Sequence, residues 1–265
     1  MKYLVLFASI MAGTALTASA QETTTTPKPN RPKPEDTEYW KPVPAVVTPG
    51  ANPGEAPSDA VVLFDGKNLD EWVSDKDTTS NKKWTLTDGG SMTVDKSVGD
   101  LRTKKRFVDF QLHIEYRIPS DIEGTSQARG NSGIFLASVP WGAGGYELQV
   151  LDNYNNPTYV NGQAGSIYKQ NPPLVNACRK PGEWQYYDVI WTAPRFNDDG
   201  TVKTPARVTV LHNGVLVQNN WTLTGDTPYI GQPKYRKHGP APIKLQAHGD
   251  KSKPISYRNI WVRPL

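Results

Sequence analysis

From about residue 109 onward the chain runs through short stretches in which apolar and polar side chains alternate, separated by Gly, Asp, Asn and Pro. Successive side chains on a strand point to opposite faces, so this alternation marks strands with one buried side. In DFQLHIEYRI (109–118), Phe110, Leu112, Ile114, Tyr116 and Ile118 share one face, and Gln111, His113, Glu115 and Arg117 share the other. SGIFLAS (132–138), YELQVLD (146–152), WQYYDVIWT (184–192) and RVTVLHNGVLVQ (207–218) continue the series. Asn213-Gly214 in the last of these is a type I′ hairpin signal, because both central residues of that turn need positive φ. No helical periodicity extends beyond a turn or two. Many short strands with frequent turns predict an all-β fold, a single antiparallel β-sandwich of the jelly-roll kind. If one of its sheets curves, polar residues at alternate positions line a groove.

Two stretches present chemistry on that polar face. In GYELQVLDNYNN (145–156), Tyr146, Leu148 and Val150 fall on one side, and Glu147, Gln149 and Leu151 on the other, before an exit through Asp152. In KLQAHG (244–249), Gln246 and His248 share a face opposite Leu245 and Ala247. Asn131 precedes a third strand, Arg102 and Lys104 lie in LRTKK, and Arg258 with Asn259 opens RNIWV. Aromatic rings at Trp141, Tyr154, Tyr159 and Tyr168 have flat apolar faces suited to stacking on sugars. Glu147, His248 and Asp152 are therefore the candidate catalytic residues. Arg102, Lys104, Asn131, Gln149, Tyr168, Gln246 and Arg258 are the candidate substrate contacts. Each has a plainer alternative: a solvated strand for Glu147, a structural imidazole for His248, an Asx turn for Asp152 and a loop brace for Arg258. His113 fits a solvated or a groove-facing strand, and His212 and His238 read as surface residues. A divalent metal is possible if Glu147, His248 and Asp152 converge. No close pattern such as H-x-x-x-H supports one, so no metal ligand is assigned.

Composition narrows the class. Residues 1–20 have one Lys, an apolar run and the ending Ala-Ser-Ala, the layout of a cleavable secretory signal, which predicts a periplasmic or secreted protein. No later stretch approaches the ~18 apolar residues of a membrane span. Residues 21–59 hold nine of the 23 prolines and read as a linker, whose Tyr39, Trp40 and valines suit an arm packed along the domain. Residues 60–265 then form the sandwich domain. Cys178 is the only cysteine, cannot pair within the chain, and reads as a buried or half-buried loop residue. Loss of Lys2 with the signal leaves 29 basic against 26 acidic residues, a balance that gives no electrostatic footprint for nucleic acid.

LFDGKNLDEW (63–72), DLRTKKRFVDFQLHIEYRI (100–118), GNSGIF (130–135), YELQVLDNY (146–154), AGSIY (164–168), KPGEWQYYDV (180–189), LQAHG (245–249) and YRNIWVRPL (257–265) occur in an order that resembles the DUF1080 family, the 3-keto-disaccharide hydrolases. The resemblance implies a concanavalin-like jelly roll and a carbohydrate substrate, a glycoside oxidised to a ketone at C3. The residues fit that implication. Ordinary glycosidases need two carboxyl groups across the scissile bond. Jelly-roll glucanases commonly supply theirs from Glu-x-Asp-x-Glu, where this chain has Glu147, Gln149 and Leu151. A 3-keto sugar has an acidified C2 hydrogen, so the C1 substituent can leave by elimination and water can then add. That route needs a base at C2, stabilisation of the enolate oxygen and an acid for the leaving group. His248 or Glu147 is expected as the base, with Arg258 or a metal at the enolate oxygen. A non-catalytic carbohydrate-binding module and a conventional endo-glucanase are the competing readings.

Overall fold

The computed structural model describes residues 31–265 except Asp88 and Gly142. The expected signal segment and the start of the linker lie outside the described residues. The chain divides into two compact units, Met1–Ala45 and Val46–Leu265. In the described part of the first, a single 3-10 turn spans Pro34–Thr37. Tyr39, Trp40 and Val43 are exposed there, as is Val46 at the start of the second unit. The second unit takes in residues 46–59, whose Gly54 carbonyl accepts hydrogen bonds from Asn259 Nδ2 (2.9 Å) and Trp261 Nε1 (2.8 Å).

The strands follow as β1 (Val61–Phe64), β2 (Trp72–Ser74), β3 (Thr85–Thr87), β4 (Ser91–Thr93), β5 (Leu101–Thr103), β6 (Phe110–Arg117), β7 (Ser132–Ser138), β8 (Gly145–Val150), β9 (Trp184–Thr192), β10 (Arg195–Phe196), β11 (Val202–Thr204), β12 (Arg207–His212), β13 (Val215–Thr222), β14 (Lys244–Leu245) and β15 (Ser256–Pro264). The larger sheet runs β13-β12-β9-β6-β15-β4-β3, with β1 also on β15, and the smaller runs β2-β5-β14-β7-β8. All pairings in both sheets are antiparallel. The result is the jelly-roll sandwich that alternation predicts. The β12–β13 turn has Asn213 and Gly214 at φ 54° and 81°, the positive pair that a type I′ turn demands.

The core fills the space between the sheets. Phe110, Leu112, Ile114 and Tyr116 of β6 enter it with Tyr187, Val189 and Trp191 of β9, and meet Ile134, Leu148, Val150 and Leu245 of the smaller sheet. Full burial of one such aliphatic or Phe side chain contributes about 1.5–3 kcal/mol. Trp72 of β2 is fully buried and its Nε1 donates to the Leu63 carbonyl on β1 at 2.8 Å, tying an edge of one sheet to the other. Because Leu148 and Val150 face this core, Glu147 and Gln149 between them face the outside of the smaller sheet.

Candidate active site

Cross-strand partners in an antiparallel pair point to the same face. The registers Phe135↔Glu147 and Lys244↔Phe135 therefore set Glu147, Phe135 and Lys244 in one row across the outer side of β8, β7 and β14. Gln149 lies opposite Gly133, whose carbonyl accepts the Gln246 N–H at 2.9 Å. The next stretch, Gln246 to His248, leaves the ladder but keeps its alternation. Asn131, Ala143, Glu147, Gln149, Tyr168, Tyr229, Gln246 and His248 line one cavity of about 70 Å³. Six of the residues expected from the sequence thus come together. Gly133 makes the room, since a Cβ there would sit 2.4 Å from Glu147 Oε1.

Glu147 is 4% exposed, and burial pushes its carboxyl up to about 8, against an opposing pull from Lys244. Asp100 adds to the upward shift and Lys169 opposes it. Glu147 is therefore chiefly a protonated acid at neutral pH. His248 is half-buried, with Nδ1 2.7 Å from Asp250 Oδ2. The Asp250 amide also approaches Nδ1, at 3.3 Å, but the shorter contact to a group that can only accept assigns the proton to Nδ1. This leaves Nε2 as the basic nitrogen. Asp250 is nearly buried, which by itself would raise its carboxyl; hydrogen bonds from Ser252 and His248 and the nearby Lys96 hold it below the usual range.

The carboxamides around these two groups are only partly satisfied. Gln149 Nε2 donates to Gln127 Oε1 (3.1 Å) and Asn131 Oδ1 (3.3 Å), while Gln149 Oε1 and Gln246 Oε1 are buried without a hydrogen-bond partner. Buried acceptors are rarely left unpaired, and substrate hydroxyls would satisfy both. Tyr168 shares a 2.6 Å hydroxyl contact with Tyr159, and burial followed by that bond raises its phenol well above the ordinary value. The backbone is held from within the core. Tyr187 donates to the Gln149 carbonyl at 2.9 Å, and Tyr257 to Ser132 Oγ (2.8 Å), which donates to the Gln246 carbonyl (2.6 Å).

Four expected residues do not join the cavity. The Asp152 carboxylate is buried beside Arg129 Nε (2.6 Å) and accepts the Tyr154 N–H (3.0 Å), so it forms an Asx turn that braces the exit of β8. Arg102 faces the same side as Lys244 but lines a separate cleft with Asp75, Arg106 and Pro242. Lys104 is exposed beyond the end of β5. Arg258 lies on the larger sheet, where it bonds Glu115 Oε2 at 2.6 Å and sits 4.1 Å from the centroid of the Trp184 ring. His113 lines a cleft on that same sheet and pairs with Asp188 at 2.7 Å. His212 is fully buried, contrary to expectation, with Nε2 3.0 Å from Tyr116 Oη; burial pushes its imidazole down to about 3. His238 is half-buried against Tyr146 Oη at 3.0 Å. Burial lifts the Cys178 thiol to about 12, away from nucleophilic reactivity.

With Asp152 engaged elsewhere, the Glu147, His248 and Asp152 set does not assemble. Among the described residues no three His, Cys, Asp or Glu side chains come together as a metal-ligand group. Sequence reasoning missed Lys244, Asp250, Asp100 and Tyr229. Lys244 was legible, since it precedes Gln246 and His248 by the same period of two. The others depend on loops folding back.

A buried carboxyl, a carboxylate-held imidazole and unsatisfied carboxamides thus share one sheet face of a jelly roll. The chain belongs to the family of the 3-keto-alpha-glucoside-1,2-lyase-like domain, whose model matches residues 59–263. It is 56% identical, at a TM-score of 0.81, to the crystal structure of a candidate glycosyl hydrolase from Parabacteroides distasonis ATCC 8503, over 88% of this chain and 97% of that one. A second candidate glycosyl hydrolase from that organism shares the fold at 23% identity and a TM-score of 0.55, over 78% of this chain and 99% of its own. No curated protein matches the chain.

Proposed function

We propose that the protein cleaves 3-keto-glycosides by elimination across C1–C2 of the oxidised sugar, followed by addition of water. His248 Nε2 takes the C2 proton, the electron pair moves towards the ketone, and the C1–O bond breaks. Glu147 gives its proton to the departing oxygen. Water then adds to the enone, so that the net reaction is hydrolysis. The enolate oxygen is assigned to the Gln246 carboxamide, because Arg258 lies on the other sheet. The observation that carries this reading is the pairing of one buried carboxyl, its proton favoured by that burial, with one carboxylate-held imidazole in the same cavity, whose lining among the described residues holds no other carboxylate. The 3-keto substrate is supported by the family match, and export by the character of residues 1–20.

The test is incubation with a 3-keto-disaccharide and with its unoxidised parent, each with and without chelator, so that any part played by a divalent ion is read in the same experiment. Cleavage confined to the keto compound is expected. Cleavage of the parent alone would return the protein to conventional glucanases. Glycan binding without turnover of either would make it a carbohydrate-binding module.

A further inference from the structure

We propose that Lys244 is a positioning residue that sets how readily Glu147 gives up its proton, and that Asp100 and Asp75 hold the charge of Lys244 back from Glu147. Its catalytic consequence rests on the function proposed above, but the electrostatic arrangement does not.

Lys244 and Glu147 occupy one row of the smaller sheet, separated by Phe135. The Lys244 side chain is 6% exposed, and its Nζ lies 4.2 Å from the centroid of the Phe135 ring between them. An ammonium so enclosed needs partners. It finds Asp100 Oδ2 at 3.3 Å and Asp75 Oδ2 at 3.7 Å, both on the side away from β8, and forms no ion pair with Glu147. Asp75 Oδ1 is in turn 3.4 Å from Arg102 Nε, so charges alternate along Arg102, Asp75, Lys244 and Asp100. Gly144 closes the top, since a Cβ there would lie 2.4 Å from Nζ. Asp100 Oδ1 also accepts the Ala247 N–H at 2.8 Å, between Gln246 and His248, so the carboxylate that offsets Lys244 also fixes the segment carrying the imidazole.

The charged and titratable groups facing Glu147 are few. Lys244 and Asp100 approach from β14 and the segment before β5, Lys169 and Tyr168 from the loop after β8, Tyr229 from the loop that closes the cavity, and His248 with Asp250 from across it. A free ammonium at Lys244 would draw the proton off Glu147. Two carboxylates on its far side weaken that pull, and Glu147 stays an acid.

The two halves of the inference predict shifts of opposite sign, which a merely structural role would not produce. The protonated Glu147 carbonyl band, identified by its loss in Glu147→Gln, is titrated by infrared spectroscopy in the substrate-free protein. Removing the cation in Lys244→Met raises the midpoint, and freeing the cation in Asp100→Asn lowers it, each by roughly one to three pH units, as expected for a nearby charge. Lys244→Arg keeps the midpoint near wild type. Midpoints that do not move, or that move the same way in both variants, overturn the proposal. If Lys244→Met does not fold, Asp100→Asn decides alone: a lower midpoint supports the proposal, and an unchanged or higher one sinks it. Opposite shifts in a protein that turns over no 3-keto-glycoside would uphold this arrangement and reject the proposed function.

Discussion

Asp250 Oδ2 and His248 Nδ1 are 2.7 Å apart, and Asp250 is held in place by the Ser252 amide at 2.6 Å and by the Ser252 hydroxyl. The carboxylate fixes the tautomer in which Nε2 is free to accept a proton. In Asp250→Asn the carboxamide can donate to Nδ1 and reverse that tautomer. Exchange of the substrate C2 proton in deuterated solvent is then expected to slow by about 10² or more, the scale of general-base catalysis. Exchange at the wild-type rate would show that His248 is not the base.

The acid is expected to set the alkaline limb of the pH profile. Glu147 is protonated below about 8, where burial has placed it, and must be protonated to assist the leaving group. kcat/KM should therefore fall as pH rises through that value, and Glu147→Gln should lose the limb along with most of its turnover. A substrate with a leaving group stable as an anion should suffer less from Glu147→Gln. Equal losses across a series of leaving groups would remove Glu147 from that role.

The same shift links stability to pH. A carboxyl whose folded value is raised from 4.5 to about 8 contributes fully below the unfolded value, and its contribution is lost as pH climbs through the folded one. Wild type should accordingly weaken relative to Glu147→Gln between about pH 4.5 and 8. Urea unfolding of both proteins at pH 5 and pH 9 measures this, and a difference independent of pH would contradict the assignment.

Gly133→Ala should separate folding from function. The added methyl meets the Glu147 carboxyl and not the core, so the carboxyl must swing away from the cavity. Turnover is expected to fall severalfold or more, with circular dichroism and the thermal midpoint little changed. Leu148→Ala, on the opposite face of the same strand pair, should instead cost about 2–5 kcal/mol of stability.

Arg258→Ala gives the contrasting case. Its guanidinium serves Glu115 and the Trp184 ring on the larger sheet. KM and kcat on a 3-keto-glycoside should stay at wild-type levels while His248→Ala loses turnover in the same assay. A selective rise in KM would restore Arg258 to the substrate.

The sandwich was readable because alternation reports burial directly. Each of the long strands β6 and β9 shows a period of two, and the Asn213-Gly214 turn declares itself through its backbone requirement. Glu147 and Gln149 were readable for the same reason, as the polar face of β8, and Gln246 and His248 as an alternation that runs on past the end of β14. Asp152 misled because it lies past the end of β8, where periodicity no longer applies, and Arg258 because periodicity names the face of a strand and not the sheet to which that strand belongs. Arg258 alternates as well as Gln246 does, but β15 pairs with β6 while β14 pairs with β7. Asp250 and Tyr229 were hidden, since Tyr229 reaches the cavity and Asp250 reaches His248 through loops whose paths depend on distant contacts. His212 was misjudged as a surface residue because its hairpin turn is exposed, while its ring turns inward beside Tyr187.

The phenols of Tyr187 and Tyr257 grip the carbonyls of Gln149 and Gln246 from beneath, directly or through Ser132. Where these two residues sit is thus governed by one set of side chains, and what they say to a sugar by another. A substitution at Gln149 or Gln246 can alter which hydroxyl pattern is accepted without disturbing the platform beneath it. The platform can serve many recognition surfaces in turn, a division that lets specificity drift across descendants while the catalytic pair keeps its spacing.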